Sequence, residues 1–272
     1  MAQLQPVTSP DDPRLEAYRD VRERDLVGRA GLFVAEGKVV LEKLAAAGRH
    51  RLRSVLVSEA KAPGLAALLA GLPAEVPAYV ASQPVMDSLA GFPIHRGVLA
   101  IGERSELAAA ALLEALPASA LVVALSGVAN HDNMGGVFRN AAAFGADAVL
   151  LDSACCDPLY RKAIRVSVGA TLVMPFARLA RGADILATLG GAGFEVLALA
   201  PGAGEELDAV VPPPRMAALF GAEGPGLDPG LLARARSVRI PMPGDFDSLN
   251  LATASGIALY RLSMFRQRER GA

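Results

Sequence analysis

The sequence is poor in the residues that build covalent or metal-held frameworks. Two cysteines occur in 272 residues, and they are adjacent, Cys155 and Cys156. That spacing excludes a structural disulfide framework and fits a reducing compartment. The three histidines, His50, His95 and His131, lie far apart and offer no metal-ligand spacing, so no metal is expected. No apolar run reaches the roughly 18–20 residues of a membrane span, and the opening MAQLQPVTSPDDPRLEAYRD has no signal-peptide core. The chain therefore reads as cytoplasmic, with no membrane partner. Charge of one sign is also lacking: 27 basic residues face 28 acidic ones, so no overall field draws the protein to nucleic acid or lipid. Any such binding falls to local patches. One candidate, residues 14–53, holds ten Arg or Lys (Arg14, Arg19, Arg22, Arg24, Arg29, Lys38, Lys43, Arg49, Arg51, Arg53) against six acids. From charge alone it reads first as a solvated face with paired charges. No G-x-G-x-x-G follows the first strand of either half and no Walker lysine occurs, which argues against dinucleotide and P-loop binding.

Apolar residues, by contrast, make up 52% of the chain, enough for a substantial core in one large or two ordinary domains. In the first half, short apolar runs at 32–34, 54–57, 78–80 and 98–101 alternate with helical patterns at 39–44, 65–70 and 84–89. Gly48 is placed to end the first of these helices. This is a small α/β unit, residues 1–104. An Ala-rich, helix-forming linker covers 105–120. From Leu121 onward the alternation resumes: strands at 121–125, 147–151, 172–176, 194–199, 216–220 and 237–240, and helices near 134–144, 158–166, 183–189, 228–236 and 248–266. Such alternation predicts a parallel sheet covered on both faces, with ligands at the carboxyl ends of its strands.

Two loops stand at such ends. The first, LFGAEGPGL, sets Gly221, Gly224 and Gly226 around Glu223, and glycines there permit positive φ or close approach to a ligand. The second leaves Val238–Ile240, breaks at Pro241 and Pro243, and ends in Ser248, Leu249 and Asn250, of which Ser248 or Asn250 is placed to cap the last helix. A third stretch, NHDNMGGVFRNAAAFG, puts Asn133, Gly135 and Arg139 at a strand end and along a helix, with Asp132 or Asn133 as its cap. The flanks of Arg139 are apolar, so the helix reads as largely buried and its arginine needs a partner or a purpose. Glu223, at the same edge, is the matching acid.

These three stretches, with IPMPGDFDSLNLATASGIALY completing the last, resemble the ordered motifs of the SpoU/TrmH class of RNA ribose 2′-O-methyltransferases in the SPOUT superfamily. RVSVGA at 165–170, FVAEGKVVLEKL and IHRGVLA extend the resemblance over nearly the whole chain from residue 30. It implies an α/β parallel sheet with a carboxyl-terminal trefoil knot and a small amino-terminal α/β substrate-binding domain. It also implies S-adenosylmethionine bound among the knot loops by Leu199, Gly221, Gly226, Ile240, Met242 and Leu249, and a homodimer using the 248–266 helix. Asn133, Arg139, Glu223, Ser248 and Asn250 are the implied catalytic set. Arg139 clamps the 2′-oxygen or adjacent phosphate, Glu223 orients Arg139 or Asn133, and Asn250 and Ser248 fix loop and substrate. Arg161, Lys162 and Arg165 then contact structured RNA, ribosomal ahead of transfer RNA. The rival readings are a non-catalytic RNA-binding protein that retains the fold and an α/β enzyme acting on a small molecule. Two departures, Asn-His-Asp in the first motif and the long Pro243–Asp247 loop in the third, bear on the target RNA more than on the reaction.

Overall fold

The structure of the chain, a computed structural model, describes residues 4–19, 31–91, 94, 96–243 and 247–270, the last six for their backbone alone. Arg22, Arg24 and Arg29 of the basic stretch, His95, and Gly244–Phe246 of the long loop lie outside the described residues. The chain divides into two compact units, Met1–Ser105 with Leu159–Val173, and Glu106–Pro158 with Met174–Ala272. Among the described residues no helix is long and apolar enough to cross a membrane.

The first unit holds β1 (Leu4–Val7), β2 (Leu32–Glu36), β3 (Arg51–Ser58), β4 (Ala78–Ala81) and β5 (Val98–Glu103) in the order β1-β4-β3-β5-β2. β5 runs antiparallel to both its neighbours while the other pairs are parallel. Sequence alternation locates four of these strands and misses β1, where Pro6 interrupts the run. β1 is an edge strand, which tolerates a residue lacking an N–H. Helix α1 (Lys38–Ala47) is bracketed by Gly37 and by Gly48, whose φ of 62° ends the helix in the left-handed region as its position foretold. The charged stretch Pro13–Tyr18 forms a 3-10 helix that buries Leu15 and Tyr18 completely, with the Tyr18 hydroxyl 2.7 Å from Ser54 Oγ. Burial raises the Tyr18 pKa.

Two short helices, Arg161–Val166 and Ala170–Val173, pack against β2 and α1 in this unit. Here the sequence expectation of a strand at 172–176 is corrected: the run is helical to Val173, and the strand begins at Phe176. A short apolar run suits either state, and pattern alone does not separate them. Between the helices Val168 sits at φ 52°, a conformation that costs a β-branched residue about 1–2 kcal/mol. Its carbonyl accepts from Lys43 Nζ at 2.7 Å.

The second unit is a wholly parallel sheet of β6 (Ala120–Leu125), β7 (Ala148–Leu151), β8 (Phe176–Arg178), β9 (Glu195–Leu199), β10 (Glu205–Glu206), β11 (Arg215–Phe220) and β12 (Arg236–Arg239). The order is β10-β12-β9-β11-β6-β7-β8. All six residues of β6 are buried, as a strand covered on both faces requires, and Val122, Leu150 and Leu219 belong to its core. From β6 the chain steps outward to β7 and β8. It then returns to the other side at β9, and β11 fills the place beside β6. The β6–β11 pair is thus the point where strand order reverses, the place where open α/β sheets hold ligands. The helix expected over 228–236 shortens to Pro229–Leu232, since β12 already starts at Arg236.

Helices α2 (His131–Ala143) and α3 (Leu251–Arg270) cross closely. A Cβ on Gly136 would stand 2.5 Å from Ala252 Cβ, so only glycine admits this approach. Asn140 Nδ2 donates to Ala252 O at 2.6 Å and to Ser255 Oγ at 2.9 Å, and Ser255 is fully buried. Gly136→Ala should therefore destabilise the protein by about 1–3 kcal/mol, an overpacking cost, and Ala252→Gly in the same chain should restore part of it. Thermal melting of the single and double variants checks this; equal melting of wild type and Gly136→Ala contradicts the contact.

Candidate active site

The site is built where the loops after β6 and β11 meet the amino end of α3. The backbone amides of Ala252 and Thr253 donate to Asn250 Oδ1 at 2.9 and 3.3 Å, so Asn250 is the helix cap. With its oxygen committed, Asn250 turns Nδ2 outward and donates to Asn133 Oδ1 at 2.9 Å. Asn133 in turn donates Nδ2 to Glu223 Oε2 at 2.9 Å. Amides of a helix end only donate and a carboxylate only accepts, so both asparagine orientations are fixed and the bonds run one way, from helix terminus to Glu223. Asn133 is 3% exposed and satisfied on both sides.

Beside this relay lies a cavity of about 470 Å³. Leu199, Gly221, Gly226, Ile240, Met242 and Leu249, the six residues expected to hold a cofactor, all line it, together with Glu223, Ser248 and Asn250. Its wall at 221–226 is mostly backbone. The loop folds back on itself through a bridge between Ala222 and Gly226, with Gly226 N donating to Ala222 O at 3.0 Å, and Gly224 and Gly226 have φ of 87° and 71°. A Cβ on Gly221 would fall 2.4 Å from the backbone of Gly226 and Leu227. Gly221 therefore serves the closure of the loop itself. A largely apolar cavity edged by backbone and by two carboxylates, Glu223 and Asp247, suits a ligand with a flat heteroaromatic part and a polar chain.

A second set of bonds, absent from the sequence expectations, fixes the β6–α2 loop. Asp152, just past β7, accepts from Ser126 Oγ at 2.7 Å, Gly127 N at 2.9 Å, Ala154 N at 2.9 Å and Cys155 N at 3.0 Å. Arg178 spans the far side of the same turn, donating to Cys155 O at 2.6 Å and Cys156 O at 2.8 Å. Its signal in the sequence was an acid immediately beyond a buried run, AVLLD. Burial, with the Asp152 charge adding to it, pushes the Cys155 thiol up to about 12, and burial pushes Cys156 up to about 11. Neither is a thiolate nucleophile near neutral pH.

Three details of the sequence reading are corrected. The cap of α2 is Asn130, whose side chain accepts from Asp132 N and Asn133 N, because the helix starts at His131; Asp132 and Asn133 lie inside it. Arg139 is exposed, on the side of α2 away from the Asn133 and Asn140 bonds, and the structure pairs Glu223 with Asn133 and not with Arg139. Among the described residues Arg139 makes no ion pair. Ser248 is exposed and forms no hydrogen bond among the described residues, so Asn250 alone caps α3. Arg161, Lys162 and Arg165 belong to the first unit; Arg161 Nη1 lies 3.3 Å from Glu36 Oε2, while Lys162 and Arg165 are exposed.

Comparison with known proteins bears on what this site does. An uncharacterised tRNA/rRNA methyltransferase of Mycobacterium bovis is 40% identical over 94% of this chain and 91% of its own length. A 23S rRNA (guanosine-2′-O-)-methyltransferase of Bordetella pertussis is 32% identical over 67% of this chain and 76% of that one. Among solved structures, an AdoMet-bound rRNA methyltransferase from Sinorhizobium meliloti superposes with a TM-score of 0.82 at 24% identity, covering 97% of this chain and 98% of that one. An RNA 2′-O ribose methyltransferase superposes at 0.79 with 26% identity, covering 97% and 100%. The model of the SpoU rRNA methylase family matches residues 120–260, the segment that carries the relay and the cavity. The chain belongs to the SpoU rRNA methylase family and is an RNA methyltransferase.

Proposed function

We propose that the chain transfers a methyl group from S-adenosylmethionine to a ribose 2′-hydroxyl of structured RNA, ribosomal in preference to transfer RNA. The observation that carries this reading is the one-way relay Asn250–Asn133–Glu223 set against the 470 Å³ cavity. The bound cofactor supplies an electrophilic methyl on a sulfonium. Leu199, Ile240, Met242 and Leu249 give its adenine an apolar slot, and the 221–226 backbone offers hydrogen bonds to its polar parts. Ribose specificity is supported by the named activities of the Bordetella relative and the 2′-O ribose methyltransferase neighbour. The proposal extends to domain roles: residues 1–104 bind RNA, 105–120 link, and 121–272 hold the chemistry, its carboxyl-terminal loops tied in a trefoil knot.

Within this reading Arg139 presents a guanidinium unencumbered by any acid among the described residues. A hydroxyl losing its proton gains alkoxide character, and a planar fork of donors stabilises that charge or the neighbouring phosphate. Arg139 is too strong a base to accept the proton and acts by position and charge. Glu223, held by Asn133, and Ser248, exposed at the cavity rim, complete the polar edge where the ribose enters.

A homodimer belongs to the same proposal. On α3, Ile257 and Tyr260 stand one turn apart, 42% and 54% exposed, with Phe144 edge-on to Tyr260 at 5.9 Å. An exposed apolar pair of this kind is what a second copy would cover.

Three outcomes are expected. Arg139→Lys and Arg139→Ala should each slow single-turnover methyl transfer about 100- to 1,000-fold while leaving cofactor affinity and melting unchanged. Near-normal turnover by either variant refutes the assigned role. Leu249→Glu, at a surface position, should weaken S-adenosylmethionine binding at least tenfold in calorimetry without altering melting; an unchanged affinity means the cofactor sits elsewhere. Sedimentation should give a dimer at micromolar concentration and a monomer for Tyr260→Arg, and an active wild-type monomer would sink the dimer. Mapping ribose methylation in RNA from cells with and without the protein decides between ribosomal and transfer RNA.

A further inference from the structure

The first unit contains a second cavity, of about 610 Å³, that the reaction above does not use. It opens where α1 ends and β3 begins. Arg49, Arg51 and Arg53 stand on its lining, and Leu44, Leu52 and Val76, each at most 9% exposed, form an apolar floor. One acid, Glu75, shares the lining. Outside it, Glu103 lies 3.9 Å from Arg51 and 3.2 Å from Arg53, at surface positions where such pairs exchange readily for another anion. Burial lowers the Arg49 pKa to about 10, the mark of a guanidinium partly withdrawn from water. The volume exceeds what an inorganic ion fills and falls in the range of small-molecule pockets, roughly 300–1,000 Å³.

We propose that this cavity holds one unpaired RNA nucleotide, its phosphate on Arg49, Arg51 and Arg53 and its base on Leu44, Leu52 and Val76. Arginine forks match phosphate oxygens in pairs, and an apolar floor accepts a splayed base, the combination by which proteins take single-stranded RNA. The placement gives the RNA two anchors in one unit. β5 runs from Val98, at the end of the sheet where Arg161 meets Glu36, to Glu103, which is paired in register with Arg51 of the cavity lining. Six strand residues separate the two ends by about 17 Å, so one strand of RNA reaches both. The inference rests on the reading of the chain as an RNA-binding enzyme, but not on where the methyl group goes.

The test uses the full-length protein with a fluorescein-labelled, unstructured 12-nucleotide RNA, followed by anisotropy at several KCl concentrations. Arg49→Ala with Arg51→Ala should weaken binding at least tenfold. It should also lower the magnitude of the slope of log affinity against log salt by about 1.4, two contacts at roughly 0.7 each for a single strand. Ala45→Trp, which fills the cavity from its exposed rim, should weaken binding at least fivefold and leave the salt slope alone. Cofactor affinity should not change in any variant. In wild type, 4-thiouridine in the same RNA should cross-link to peptides containing 44–53 and 73–77. Cross-links confined to other peptides, or a double variant with wild-type affinity and slope, overturn the site. A 12-base-pair duplex that binds as tightly and responds equally to Ala45→Trp overturns the base-holding half. Since binding is read without turnover, cavity-dependent binding by a protein that methylates no ribose would sink the proposed activity alone, and ribose methylation with an indifferent double variant would sink this inference alone.

Discussion

The site depends on the buried amide of Asn133. It is the crosspiece between two loops far apart in sequence, bonded to Glu223 ninety residues on and to Asn250 beyond that. A buried amide satisfied on both halves rigidifies what it joins, and loss of either partner leaves a buried polar group unpaired at a cost of about 1–3 kcal/mol. The direction of its bonds is imposed from outside, by helix amides that cannot accept and a carboxylate that cannot donate. The polarity of the site is therefore a property of the backbone of α3, delivered through two side chains. The Glu223 carboxylate has its Oε2 committed before any ligand arrives.

That crosspiece holds only because α2 and α3 approach to glycine distance. Asn133 and Asn140 lie two turns apart on one face of α2, and both bond to α3, the first through Asn250 and the second to Ala252 and Ser255. Gly136 lies between them, where a side chain would separate the helices and lengthen both bonds. Asp152 does comparable work from the sheet, binding four donors of two turns so that the β6–α2 loop enters the helix at a fixed angle. Core, helix crossing and polar chain thus form one construction around the point where strand order reverses.

Much of this was legible in the sequence because the signals are local. Gly221, Gly224 and Gly226 mark a loop that needs positive φ or self-contact, Pro241 and Pro243 stop a strand, and both loops sit at carboxyl strand ends by alternation alone. What stayed hidden depends on register or on distant partners. Arg139 looked buried because its neighbours Val137, Phe138 and Ala141 are apolar; the helical period turns those three inward and leaves 139 outside. Placing the cap on Asp132 or Asn133 failed by a turn's fraction, since Asn, His, Asp and Asn follow one another and only the first ends outside the helix. The antiparallel entry of β5 has no sequence mark, and the two-residue β10 is too short to show a pattern. The pairing of Asn133 with Glu223 needed the sheet order, which no single segment encodes.

The division of the chain into two units also sets a schedule. The first is complete only when 159–173 arrives, for Lys43 has its partner carbonyl on Val168 and Glu36 its cation on Arg161. Between Ser105 and Val173 the ribosome adds 68 residues, 53 of them belonging to the other unit, at roughly 5–20 residues per second a wait of about 3–14 s. Throughout that interval the nascent amino-terminal sheet stands with one flank uncovered, so a birth on the ribosome is a period of exposure that an uninterrupted domain of the same size would escape.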